Sequence, residues 1–173
     1  MNLILVPLAL LIFLAAWMLF RTLKLHHVPE EVEPAPKALI DSALTALHLS
    51  QAIQIKTISK AEMGEDDCKP FLELHTWISR TFPLINEKLT RTVINDYSLL
   101  YTWAGSDNHL KPALLNAHMD VVPVDEATRK EWKNDPFGGE IREGFVWGRG
   151  ALDMKGIMVS LLESVEALLK EGY

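Results

Sequence analysis

The chain has 173 residues, 49% hydrophobic and 23% charged, enough to bury the core of one compact domain and too apolar for a disordered polymer. A formal charge of -6, with lysines and arginines scattered along the chain, leaves no basic footprint and excludes nucleic-acid binding. The single cysteine, Cys68, excludes an internal disulfide and reads as a small, partly buried side chain rather than a reactive thiolate.

The first element is apolar. Leu3 to Phe20 carry no charge, and as a helix they would span roughly 27 Å at about 1.5 Å per residue, close to the hydrocarbon thickness of a bilayer. No basic residue precedes the stretch and no clear A-x-A site follows it, so residues 1–24 read as an uncleaved, single-pass membrane anchor rather than a signal peptide. Arg21 and Lys24 would favour a cytoplasmic C-terminal side, but two charges leave the side of the membrane open. His26 and His27 next to the anchor read as a polar interfacial flank. Residues 25–37, with "VPEEVEPAPK" at 28–37, are proline- and glutamate-rich and read as a stiff, solvated linker.

A globular segment, residues 38–173, follows. Leu39, Ala43, Leu44, Leu47 and Ile53 recur at helical spacing, predicting a helix over Ala38–Ile53. Asp66 or Asp67 could cap a second helix that runs through Phe71, Leu74, Trp77 and Ile78 to Phe82, where Pro83 stops it. Thr90–Ile94 and Ser98–Trp103 read as strands around an Asn95-Asp96 turn. The continuous apolar run Ala113–Ala117 suits a strand covered on both faces. Residues 138–150 predict a hairpin turning at Glu143-Gly144, and Lys155–Lys170 an amphipathic helix. Its apolar stripe is Ile157, Met158, Leu161, Leu162, Val165, Leu168 and Leu169, with Glu163 and Glu166 on the solvated side. Helices before, strands within and a helix after predict an α/β domain with three layers, αβα.

Functional residues in such sheets collect where strands end. His118 closes the apolar run, and a neutral imidazole is a good zinc ligand whose second nitrogen usually donates to a carboxylate. Asp120 is spaced for that task, because residues i and i+2 leave a strand on the same side. A buried, hydrogen-bonded histidine and an aspartate capping a turn before Pro123 are the plainer alternatives. In "WGRGALDMKG", 147–156, Gly148 and Gly150 allow a tight turn ahead of Asp153. Asp153 could simply cap the helix that follows, or its two oxygens could bridge two cations about 3.5 to 4 Å apart.

The segments "LLNAHMDVVPV" and "DPFGGEIREGFVWGRGALDMKG", with His118 and Asp153 35 residues apart, resemble the metallopeptidase M20 family. So do "AIQIKTIS" (52–59), "FLELHTWISRTFPLI" (71–85) and "YSLLYTWAGSD" (97–107), especially its carboxypeptidase S and N-acyl-amino-acid hydrolase branch. The resemblance implies a zinc-peptidase-like catalytic domain, incomplete in this chain. In it His118 ligates one zinc, Asp120 is the catalytic carboxylate that orients His118, and Asp153 bridges two zincs, with cobalt or manganese as possible replacements. It further implies water attack on the amide bond of a peptide or N-acyl amino acid, with no covalent intermediate.

The family's Glu-Glu general base, a later acidic ligand and a distant histidine find no match here, and neither does the lid domain through which such enzymes often form homodimers. The sequence is thus expected to be the N-terminal part of a longer enzyme, and inactive by itself, since zinc sites need three or four protein ligands. Two other readings stay open: a non-catalytic membrane-anchored fragment, and a small-molecule deacylase of desuccinylase or deacetylase type. His48, His75 and His109 have no partner at ligand spacing and suit surface or helix-face roles. Trp132, Phe137, Phe145 and Trp147 could wall a pocket but more simply pack a core.

Overall fold

The structure is a computed structural model that describes residues 2–25 and 40–173. It divides into two compact units, residues 1–37 and 38–173. In the first, helix α1 covers Asn2–Lys24. Its Leu5–Lys24 portion has a mean hydropathy of 2.0 and is long and apolar enough to cross a membrane, a property it shares with N-terminal signal sequences. The basic end of α1 is sheathed in aromatics: the Arg21 guanidinium lies 5.7 Å from the Trp17 ring centre and the Lys24 ammonium 4.7 Å from that of Phe20. Apart from Leu25, the linker read over 25–37, with His26 and His27, lies outside the described residues.

In the second unit α2 covers Ser42–Gln54. It starts later than the apolar spacing predicts because Asp41 takes an extended conformation and its carboxylate accepts from the Ala43 and Leu44 amides at 3.0 and 3.1 Å. Such a cap contributes about 1 kcal/mol. Helix α3, Glu65–Thr81, begins earlier than expected. Gly64 is its N-cap, and Asp67, already inside the helix, reaches back to accept from the Gly64 amide at 3.1 Å. Pro83 does end α3, and it also opens a short helix, α4 (Pro83–Lys88), that the periodicity did not reveal. Proline suits that first position because its missing N–H would have had no partner there.

The hairpins form as expected. β1 (Thr90–Ile94) pairs antiparallel with β2 (Ser98–Thr102), and β3 (Glu140–Arg142) with β4 (Phe145–Trp147). Both turns carry residues at positive φ: Asn95 and Asp96 at 48° and 66°, Glu143 and Gly144 at 57° and 80°. Leu99 and Tyr101 alternate inward from β2 onto the helical core. That core joins Ala52 and Ile55 from the C-terminal end of α2, Leu74, Ile78 and Phe82 from α3 and its end, Ile85 from α4, and Met158, Val159 and Leu169 from the last helix, α5 (Lys155–Lys170).

Ala113–Ala117 departs from expectation. It forms no strand, and Leu114 and Leu115 are 80% and 66% exposed. A doubly covered strand needs hydrogen-bonding neighbours on both edges, and the nearest strand-like contact is a single parallel bridge further along, between Ile58 and Val121. The described residues of the second unit thus form a small mixed domain of helices and two-stranded sheets. Helix α5 is also rotated from its predicted stripe: Lys155, Met158, Val159 and Leu169 are buried, whereas Ile157 is 48% exposed.

Two glutamates expected in solvent instead hold helices together. Glu163 pairs with His48 of α2, whose ring packs edge-on against Trp77 and Phe82. Glu166 accepts from the Leu84 and Ile85 amides, each at 2.9 Å, and so caps α4 from across the core. His48 therefore has a partner, and so has His75: it is buried, with Nε2 2.7 Å from the Tyr97 carbonyl.

Candidate metal site

Two chain segments meet at the site. Residues 57–59, leaving α2, run beside residues 119–121: the Val121 amide donates to the Thr57 carbonyl at 2.8 Å and the Ser59 amide to the Val121 carbonyl at 3.1 Å. Buried Thr57 adds a hydroxyl bond to the Met119 carbonyl at 2.6 Å. This short ladder holds the His118–Asp120 stretch in place although no regular strand forms there.

The 147–156 loop comes in from the other side. Gly148 lies where a Cβ would sit 2.5 Å from Ile53 Cγ2, and at Gly150 (φ 87°) a Cβ would meet Val121 Cγ1 at 2.7 Å. Glycine at these two positions lets the loop backbone pack directly on α2 and on the 119–121 segment. Lys155 then pins the loop. It is fully buried, and its ammonium donates to the Ala52 carbonyl at 2.8 Å and also to that of Ile55, filling acceptors that the end of α2 leaves open. Burial pushes this amine down to about 8. The apolar stripe gave no hint of this role, although a lysine in the first turn of a helix, where the dipole disfavours it, was a signal.

The result brings together the three residues singled out from the sequence. His118 Nε2 lies 3.0 Å from Asp153 Oδ1, and Asp153 does not cap α5, whose first turn has no side-chain cap. On the other side of the ring, Nδ1 lies 3.0 Å from the Asp120 carbonyl and 3.2 Å from Asp120 Oδ1. Each ring nitrogen faces an acceptor, so the protonated ring donates from Nδ1 to Asp120 and from Nε2 to Asp153, and a cation held between Nε2 and Oδ1 would take the place of the second proton. His118 is 46% exposed and the Asp153 side chain 87% exposed, so this is an open surface site and not a satisfied core histidine. Partial burial by itself would lower the His118 imidazole, but its bonds to Asp153 and to the Asp120 carbonyl, with both carboxylate charges, outweigh this and raise it above 6.5.

The donor set suits a zinc-like cation. An imidazole nitrogen and a carboxylate oxygen are both atoms that ligate such an ion, and their 3.0 Å hydrogen-bond separation keeps them adjacent. Among the described residues, no group of three or more His, Cys, Asp or Glu side chains is arranged to hold an ion. His109 lies on an exposed loop with only a local turn bond to its amide.

The aromatics divide. Phe137 is buried and Phe145 is 65% exposed. Trp132 and Trp147, with Glu131, Asp135 and Gly148, line an open cleft of about 490 Å³ that includes neither His118 nor Asp153.

In this mixed α/β domain the histidine beside the Ile58–Val121 bridge and the aspartate on the glycine-turned 147–156 loop thus face each other. Residues 114–173 match the model of peptidase family M20/M25/M40. A probable carboxypeptidase S-like protein of Dictyostelium discoideum is 40% identical over 94% of this chain and 33% of its own length. Carboxypeptidase S of Saccharomyces cerevisiae is 40% identical over 85% of the chain and 29% of its own length. An N-fatty-acyl-amino acid synthase/hydrolase of Xenopus tropicalis is 36% identical over 84% and 27%, respectively. The chain belongs to the M20 family, on the branch of carboxypeptidase S and the N-fatty-acyl-amino acid hydrolases. It spans about a third of the length of these curated relatives.

Proposed function

We propose that this chain carries part of the metal centre of a zinc-dependent hydrolase that cleaves the amide bond of a peptide or an N-acyl amino acid. The observation that supports it is the 3.0 Å approach of His118 Nε2 to Asp153 Oδ1 across 35 residues of chain, with the far side of the same ring held by Asp120. His118 and Asp153 are metal ligands in this reading. Asp120 is the carboxylate that orients His118 and keeps its proton on Nδ1, making Nε2 the stronger donor.

A zinc pair, or cobalt or manganese in its place, would supply Lewis acidity and a water acidified to a pKa of about 7. The protein's own contribution is positional. Asp153, held just before α5 by buried Lys155, presents a carboxylate with one oxygen toward His118 and the other toward solvent, the disposition a bridging ligand needs. Zinc takes three or four protein ligands, so this pair is part of a set, and the greater length of the relatives leaves room for the rest. On the same reading the Ile58–Val121 bridge is the first rung of a parallel sheet in a three-layer αβα domain, and α1 is a single-pass anchor in a lipid bilayer.

The test uses the full-length protein in detergent. Hydrolysis of N-acyl amino acids and of peptides with a free C-terminus should disappear after dialysis against a chelator and return with zinc or cobalt. His118→Ala and Asp153→Ala should each lower the bound zinc counted by atomic absorption. Turnover that survives both chelation and Asp153→Ala would refute the assignment.

A further inference from the structure

One residue contacts Asp120 on the side facing away from His118. The Ser59 hydroxyl donates to Asp120 Oδ2 at 2.6 Å, while Oδ1 of the same carboxylate faces His118 Nδ1 at 3.2 Å. Each oxygen thus has one protein partner, and the two together fix the side-chain torsion of an aspartate that is 42% exposed. Without such a tether, a carboxylate this open to water would exchange rotamers and be hydrated in several of them. Ser59 itself is not free to wander. Its amide is bonded to the Val121 carbonyl, and the buried Thr57 two residues before it is bonded to the Met119 carbonyl. The parallel bridge at Ile58 and Val121 therefore sets the hydroxyl opposite Asp120 through the backbone.

Other features of the molecule carry less. The His48–Glu163 pair and the Glu166 cap are explained by helix packing, the open Trp132–Trp147 cleft mixes Glu131 and Asp135 with Lys133 and so selects no ligand charge, and nothing in the structure shows what covers the exposed Leu114 and Leu115. Ser59 stands apart because its hydroxyl bonds directly to a carboxylate that in turn faces the candidate ligand.

We propose that Ser59 is a positioning residue: by bonding Oδ2 it holds the Asp120 carboxylate, and through it the imidazole of His118, in the orientation that lets Nε2 bind metal. This rests on the metal-site reading above. A hydrogen bond from a neutral donor to a carboxylate, discounted for the openness of the site, corresponds to roughly a 5-fold effect on metal affinity.

The experiment is an equilibrium zinc competition against a chromophoric chelator, carried out on the full-length protein for wild type, Ser59→Ala, Ser59→Thr, Asp120→Asn, the Ser59→Ala/Asp120→Asn double variant and His118→Ala. Unfolding of the metal-free forms is followed in parallel. Ser59→Ala should weaken zinc binding about 5-fold, and Ser59→Thr, which keeps the hydroxyl, should stay within about 2-fold of wild type. In the Asp120→Asn background Ser59→Ala should add less than about 2-fold, because the carboxylate through which Ser59 acts is already gone. Equal zinc affinity in Ser59→Ala and wild type, or a full and additive loss in the double variant, overturns the proposal. Should Ser59→Ala not fold, loss of zinc affinity in Ser59→Thr despite wild-type unfolding overturns it, and retention supports it. His118→Ala separates the two layers: if it binds zinc like wild type, the metal-site reading itself fails, whereas weakened binding there beside unchanged Ser59→Ala removes only the role of Ser59.

Discussion

Removing the Glu166 side chain should show how much of this fold depends on a polar group that looks like ordinary surface. Its two oxygens accept from the Leu84 and Ile85 amides, both at 2.9 Å. Those donors open α4, a helix of 6 residues that begins with Pro83 and places Ile85 in the core. In Glu166→Ala both amides lose their partner. A charge-assisted bond contributes about 1.5 to 3 kcal/mol, and an anion at a helix N-terminus about 0.3 to 1 kcal/mol more. Water reaches this half-buried site and recovers part of that, so a net loss of about 2 kcal/mol is expected, a fall in Tm of roughly 6 to 8 °C for a domain of this size. Glu166→Gln keeps one good acceptor and should lose about half as much. Denaturant unfolding followed by tryptophan fluorescence measures both, Trp77 lying close to the affected helices. If Glu166→Ala unfolds at the wild-type midpoint, or Glu166→Gln is as damaging as Glu166→Ala, the capping account is wrong.

Three further outcomes are expected. Burial lowers the His75 imidazole below 6.5 despite its bond to the Tyr97 carbonyl, so the folded state keeps this ring neutral after the unfolded chain has taken up a proton. Its contribution to stability is whole above pH 6.5 and is lost as pH falls through the lowered value; a pH series of unfolding free energies should therefore be flatter on the acid side in His75→Phe than in wild type. Gly139→Ala should destabilise by about 2 to 4 kcal/mol, since a Cβ there would sit 2.4 Å from the Ser50 carbonyl oxygen on a backbone with φ of 62°; an unchanged thermal midpoint would contradict the close approach. Lys155→Ala should cost about 3 to 5 kcal/mol, as a cavity opens and the Ala52 and Ile55 carbonyls lose their donor, and the measured loss should exceed that of an exposed alanine substitution at Lys170.

Some of this was legible in the residues alone. Period and turn chemistry are local, so α5, both hairpins and the apolar α1 could be read from the string: Asn95, Asp96 and Gly144 tolerate positive φ, and between two apolar runs that marks a turn. Apolar spacing starts the first helix at Ala38 and Pro83 reads only as a stop; the cap at Asp41 and the helix start at Pro83 emerged in the structure, and α4 was missed because a helix of 6 residues is too short to display a period.

The site was legible as a list of residues, since a histidine and an aspartate breaking an apolar run, and an aspartate following a Gly148/Gly150 turn, are chemically unusual company for a core. That His118 and Asp153 stand 3.0 Å apart was decided by tertiary structure. So were the assignments of Glu163 to His48, of Glu166 to α4, of Lys155 to the end of α2, and of Ser59 to Asp120. Each joins groups more than 60 residues apart in the chain, and no periodicity extends that far. The run Ala113–Ala117 shows the same division from the other direction: its composition states that it suits burial, but only neighbouring strands can bury it, because a strand satisfies its backbone through partners that its own sequence does not contain.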